Sequence, residues 1–219
     1  MKIRMQITKD PEIRFVSHLD YLRAIERALR RSGLPVAYSV GFNPHIKFSL
    51  ASALGVGIAS EAEFVEIEMA NPLPAEEAVA KLKDNLPRGI RILAADAAAT
   101  NEPALMARAA FAEYNVFLPL EQAQGIEEKA QTFNDATTLL YRKTALKRRC
   151  GYKEVDIKRY IDKVEYEITK DNLRLHFEIK IFEDGSIKAS DVLNALGVAA
   201  LEADIRRLGI YRANHQSML

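Results

Sequence analysis

Tryptophan is absent from this 219-residue chain, and cysteine occurs once, as Cys150. A single cysteine excludes an internal disulfide and any cysteine-only zinc or iron–sulfur site built by this chain alone. Neither sign of charge dominates: 31 Lys plus Arg face 30 Asp plus Glu, a net charge of +1, so any argument about partners must rest on where charges cluster. No apolar run approaches the roughly 18 residues of a membrane span. Charge interrupts the opening Met1-Lys2-Ile3-Arg4-Met5-Gln6, which therefore does not read as a signal peptide, and a cytoplasmic protein with no membrane partner is expected. Nucleophile elbows, Walker loops, dinucleotide fingerprints and His-Glu-x-x-His are all missing. What remains is ordinary globular composition, 48% hydrophobic and 28% charged, long enough for one large domain or two small ones.

The apolar periodicity predicts an α+β fold of two tandem ferredoxin-like units, each β-α-β-β-α-β. In the first, residues 1–97, Ile3, Met5 and Ile7 alternate as a strand that Asp10-Pro11 breaks and that Ile13 to Val16 resume. Ser17 caps a helix carrying Leu22, Ile25, Ala28 and Leu29, ended by Gly33. Strands follow over Lys47–Leu54 and Ala62–Met69, then a helix opened by Pro74 and a strand over Ile90–Ala94. The alanine-rich stretch 98–110 reads as a linker. The second unit, 111–219, begins with a strand at Tyr114–Leu118, then a helical stripe from Ile126 through Phe133 to Tyr141. A hairpin, Val164–Ile168 with Leu173–Phe182, a short helix capped by Ser190 and a strand near Leu208–Arg212 complete it. Residues 142–163 form an insert.

The most informative stretch is Gly41-Phe42-Asn43-Pro44-His45, which packs two turn formers, a permissive glycine and an imidazole into five positions ahead of a strand. It suits a binding loop on a rigid scaffold. The second is Ser17-His18-Leu19-Asp20. Here Ser17 and Asp20 fit helix capping, while His18 is placed to project from the helix start. His18 and His45, with Asp20, are the candidate catalytic residues. Ser17, His18, Asn43, His45, Ser60 and Glu61 are candidate contacts to substrate or partner. Two histidines with Asp20 or Glu61 lack any local metal-ligand spacing, so no metal site is assigned. The alternating acids of Ser60 to Glu68 read most simply as a solvated strand edge.

Two groups of cations could meet a polyanion. Arg23, Arg27, Arg30 and Arg31 share a helix face. Arg142, Lys143, Lys147, Arg148, Arg149, Lys153, Lys158 and Arg159 lie within 18 residues, with Tyr141, Tyr152 and Tyr160 interleaved. Charge for phosphates and rings for unstacked bases is the combination RNA needs. A solvated charged face or a protein-docking surface is the plainer reading.

The residues Arg14-Phe15-Val16-Ser17-His18-Leu19-Asp20, the run Ala28 to Ser39 and Gly41-Phe42-Asn43-Pro44-His45 resemble the radical SAM-linked proteins, also called the DUF2344 family. The likeness continues through Gly57–Ser60, Ala62-Glu63-Phe64 and Lys153 to Lys158. One departure is Ile46, where the family commonly has a second proline after the histidine. The resemblance implies an accessory protein working with a radical SAM enzyme; joined to the cation clusters above, it leads to the expectation that the material handled is RNA, as tRNA or rRNA. S-adenosylmethionine and an iron–sulfur cluster would then belong to the partner, because no Cys-x-x-x-Cys-x-x-Cys run is present here. Alternatives are an independent RNA-modifying or nucleotide-processing enzyme using His18 and His45, and a protein–protein adaptor that binds no nucleic acid.

Overall fold

The computed structural model describes residues 1–144 and 151–219, with no side-chain account of Lys143 and Thr144. The fold is α+β, with five α-helices among the described residues, and the chain divides into two compact units: 1–110 with 207–219, and 111–206.

In the first unit, β1 (Lys2–Lys9) pairs antiparallel with both β3 (Ile58–Glu68) and β4 (Ile92–Ala98), and the short β2 (Phe48–Leu50) pairs antiparallel with β3. Alternation places Ile3, Met5 and Ile7 of β1 beside Val65 and Ile67 of β3 in one core. Helices α1 (His18–Arg31) and α2 (Ala75–Lys83) cover that face. Tyr21, Ile25, Ala28 and Leu29 of α1 are buried at helical spacing, as are Ala78 and Leu82 of α2. Ser17 caps α1: its hydroxyl oxygen accepts from the Asp20 amide at 3.2 Å and its proton goes to the Asp20 carboxylate at 2.7 Å. At the other end, Gly33 takes φ +67, a conformation side chains resist.

The opposite face of β1 is also buried. Lys2 and Arg4 lie on it, both ion-paired to Glu66, and the segment after β4 closes over them. Lys2 Nζ donates to the Glu102 carbonyl (2.9 Å), and Arg4 donates to the Glu102 carboxylate (2.7 Å) and the Pro103 carbonyl (2.8 Å). The stretch 98–110, where the sequence reads as linker, thus carries a short helix, α3 (Leu105–Arg108), with Leu105 fully buried. Ile13 to Val16 does not resume a strand. Pro11, with fixed φ and no N–H, starts a 3-10 turn over Pro11–Ile13 instead.

In the second unit, β5 (Phe111–Leu118) pairs antiparallel with β9 (Leu173–Lys180), which pairs with β8 (Glu165–Ile168). Tyr114, Val116 and Leu118 point inward with Leu175, Phe177 and Ile179. Ile126, Ala130 and Phe133 of α4 (Ile126–Asp135) and Val192 and Leu193 of α5 (Ala189–Ala195) are buried as well. The stripe expected to reach Tyr141 stops at Asp135. The β-branched pair Thr137-Thr138 follows, and the Lys158 ammonium accepts the role of C-terminal cap by donating to the Phe133 and Asn134 carbonyls. Beyond it, β6 (Leu140–Thr144) and β7 (Tyr152–Asp156) form a two-stranded arm. The last strand, β10 (Asp204–Tyr211), leads into the segment Arg207–Leu219 that returns to the first unit.

Candidate functional site

Three charges sit at core-parity positions in the first unit. Lys9 continues the odd-numbered row of Ile3, Met5 and Ile7; Glu63 continues the row of Val65 and Ile67; Arg207 continues that of Ile205. All three are buried, Glu63 completely so (0% exposed). Arg207 Nη1 donates to both Glu63 carboxylate oxygens at 3.0 and 3.1 Å, and Nη2 donates to the Ala53 carbonyl at 2.9 Å. Lys9 Nζ donates to the carbonyls of Arg14 (2.9 Å), Val16 (2.8 Å) and Gly55 (3.5 Å). The ammonium therefore ties the entry to α1 to the Gly55-Val56-Gly57 turn, and the guanidinium ties in the segment just before it. Burial pulls the Lys9 pKa down to about 8; Glu63 opposes that shift and Arg207 adds to it. Tyr21 lies alongside, donating its hydroxyl to the Thr8 carbonyl at 2.7 Å, and burial holds its phenol far above the ordinary tyrosine range.

His18, the first residue of α1, stands over this group. Burial lowers its pKa, Glu63 pulling the other way and Arg207 and Lys9 reinforcing the drop, which favours the neutral ring. Its Nδ1 is shut off from solvent and has no hydrogen-bond partner among the described residues. A buried polar atom left unsatisfied costs about 1–3 kcal/mol, and a neutral imidazole in that state is a ready acceptor or donor. Phe15 and Leu19, chain neighbours of His18, and Val56 of the turn that Lys9 ties in, are exposed. Ser17 and Asp20 are occupied with each other and with the cap, and Arg23 pairs with Asp20 at 2.9 Å.

His45 has different surroundings. It closes an exposed loop: the Ser39 amide donates to the His45 carbonyl (2.8 Å), the His45 amide donates to Ser39 Oγ (3.1 Å), and its Nδ1 lies 3.1 Å from the Asn43 carbonyl. Among the described residues no hydrogen bond or ion pair joins His18 to His45, and no group of histidines, cysteines and carboxylates is arranged to hold a metal ion. Ser60 is buried, with Oγ accepting from the Ala62 amide at 3.3 Å, whereas Glu61 is exposed.

The acidic strand departs from the expected solvated edge. Between β1 and β2, the central β3 buries Glu63 and Glu66, and each is neutralised by a cation that the sequence pattern does not pair with it: Arg207 for the first, Lys2 and Arg4 for the second. The expected polyanion contacts also divide. Arg27 is exposed and makes no ion pair among the described residues, while Arg30 pairs with Glu26 (2.6 Å) and Arg31 donates to the Asn85 carbonyl (2.6 Å). On the arm, Arg142 is exposed, pairs with Glu154 (3.1 Å) and lies 4.8 Å from the Tyr152 ring centroid; Lys153 is exposed. Lys158 is committed to backbone carbonyls, and Arg159 to Asp184 (2.8 Å) and the Phe182 ring (4.8 Å). Lys147, Arg148 and Arg149 lie outside the described residues, as does the side chain of Lys143. Lys9 and Arg207 escape the reading of motifs, although a charge interrupting an alternating apolar row is a signal the sequence carries.

A family model described as "Uncharacterized protein conserved in bacteria (DUF2344)" matches residues 2–189. No curated protein matches the chain. No helix among the described residues is long and apolar enough to cross a membrane.

Proposed function

This chain belongs to the DUF2344 family, and we propose that it is an accessory module that binds RNA, or a substrate attached to RNA, for a radical SAM partner. We read both units as ferredoxin-like. In the first, β4, β1, β3 and β2 follow one another as antiparallel neighbours, with a helix after β1 and another after β3. The observation that carries the RNA reading is the β6–β7 arm. Its exposed Arg142 guanidinium stands against the Tyr152 ring, so one face offers a phosphate contact and a stacking ring, and exposed Lys153 adds a cation on the other face. Arg23 and Arg27 of α1 add cations on the first unit. A single cysteine cannot hold an iron–sulfur cluster by itself, so S-adenosylmethionine and iron–sulfur chemistry belong to the partner in this account.

A titration of tRNA and rRNA fragments at rising salt tests it. Four phosphate contacts on a single strand, each contributing a slope of about −0.7, weaken binding about 50-fold for a fourfold rise in salt. Absence of salt-dependent binding to any RNA removes the RNA half of the proposal.

One observation supports a second reading, an enzyme in its own right: the neutral, unsatisfied His18 above Glu63 and Lys9. Under it, His18→Ala abolishes turnover of a small nucleotide or RNA substrate and leaves binding intact. Under the accessory reading, His18→Ala changes binding or stability, and no turnover exists to lose.

A further inference from the structure

The loop that carries the Gly-Phe-Asn-Pro-His motif presents a ring that the proposed RNA surfaces above do not use. Phe42 is 107% exposed and Val40 102%, at the tip of a loop whose stem is tightly held. Tyr38 and Ile46 form an antiparallel bridge, the Lys47 amide donates to the Ala37 carbonyl at 2.9 Å, and Ser39 and His45 exchange the two hydrogen bonds described above. Gly41, at φ +141, supplies a backbone conformation that other residues rarely adopt, and it does so directly before Phe42. The ring is thus held out in water by an ordered frame, which lowers the ordering cost of using it in binding.

Helix α1 carries exposed arginines near the loop base. Tyr38, 45% exposed at the loop base, lies within electrostatic reach of Arg30, whose guanidinium is ion-paired to Glu26 at 2.6 Å. Exposed Arg27 sits one turn back on the same helix. A fully exposed flat apolar ring on a unit whose α1 carries exposed arginines matches one kind of partner: a nucleobase exposed in a single strand, with its phosphates on the arginines.

We infer that Phe42 is a stacking platform for an unpaired base of single-stranded RNA, with Tyr38 flanking it and Arg27 and Arg30 meeting the adjoining phosphates. This inference rests on the RNA reading above and adds a second contact surface, on the first unit.

The chain's lack of tryptophan makes the test direct, because Phe42→Trp introduces its sole indole. Titrating that variant with a uridine-rich single-stranded 12-mer should quench indole emission to saturation, and a fully paired RNA duplex should not. Measured by anisotropy of the same labelled 12-mer, Phe42→Ala and Phe42→Leu should each weaken binding by about 5- to 150-fold, the range for one base–aromatic stack, while Phe42→Tyr retains affinity. If wild-type protein binds the 12-mer with salt dependence but Phe42→Ala binds equally well and the indole stays unquenched, the platform is refuted and the RNA reading stands. If Phe42→Leu binds like wild type while Phe42→Ala does not, an apolar contact replaces stacking and the inference is overturned. If wild-type protein binds no RNA at low salt, both readings fall together.

Discussion

The two histidines picked out by motif occupy opposite environments. His18 sits over a buried ammonium, carboxylate and guanidinium, held neutral, with one ring nitrogen sealed from water. His45 sits in water, on a loop stitched by its own backbone. The same side chain is therefore part of the scaffold's internal electrostatics in one place and a surface contact in the other. The contrast puts stability and pH sensitivity at the His18 corner and leaves the His45 loop for the proposed ligand contact.

The largest expected effect breaks the charges beneath His18. Glu63→Gln leaves Arg207 buried without a counter-charge and should cost about 3–5 kcal/mol, read from denaturant unfolding. Replacing both partners, Glu63→Met with Arg207→Met, should recover most of that loss, because desolvating the pair offsets much of its attraction. A double variant as unstable as the single one would mean that the carbonyl bond from Arg207 to Ala53, and not the pair, is what matters.

Next come two pH dependences. A lysine whose folded pKa lies near 8 and whose unfolded pKa lies near 10.5 binds fewer protons folded than unfolded between those values. Stability attributable to Lys9 should therefore rise as pH climbs from about 8 to 10.5. Comparing wild type with Lys9→Met isolates it: a difference that stays flat across that window would contradict the buried ammonium. His18 acts in the acid range. Its folded pKa lies below 6.5, so the unfolded chain takes up the proton first and stability falls as pH drops through 6.5. Unfolding of His18→Gln should lack that component.

Much of the fold was legible because its strongest signals are periodic. The odd-numbered apolar row of β1, the stripe of α1 and the Ser17 cap all read directly from residue spacing. Reading failed where a segment's fate depends on what lies across the sheet. Nothing local says that Glu66 meets Lys2 and Arg4, or that residues 98–110 fold over those cations. Glu63 needed Arg207, 144 positions away, before its burial made sense. Of the candidate site, the exposed loop was legible as a motif. The buried corner was half legible, as charges standing in apolar rows, and half hidden in long-range pairing. Lys158 and Arg159 show the reverse error: a run of cations reads as one surface until two of them are found holding a helix end and an aspartate.

Smaller effects sharpen the loop side of the comparison. Arg23→Gln with Arg27→Gln should lower the salt slope of RNA binding by about 1.4, at roughly 0.7 per lost phosphate contact, with unfolding nearly unchanged. His45→Ala should alter stability by no more than about 0.5 kcal/mol, since the exposed ring holds only its neighbour's carbonyl. The same substitution should still weaken RNA or partner binding. A large loss of stability there would erase the distinction between the two histidines.

The most direct measurement is amide hydrogen exchange of the full chain with and without a saturating single-stranded RNA. Ligand contact at the loop and arm predicts new protection in Ser39–His45 and in β6 and β7 (Leu140–Thr144 and Tyr152–Asp156), with the amides around Lys9 and Glu63 already slow in both states. RNA-induced protection confined to the residues around His18, or none anywhere, would contradict it.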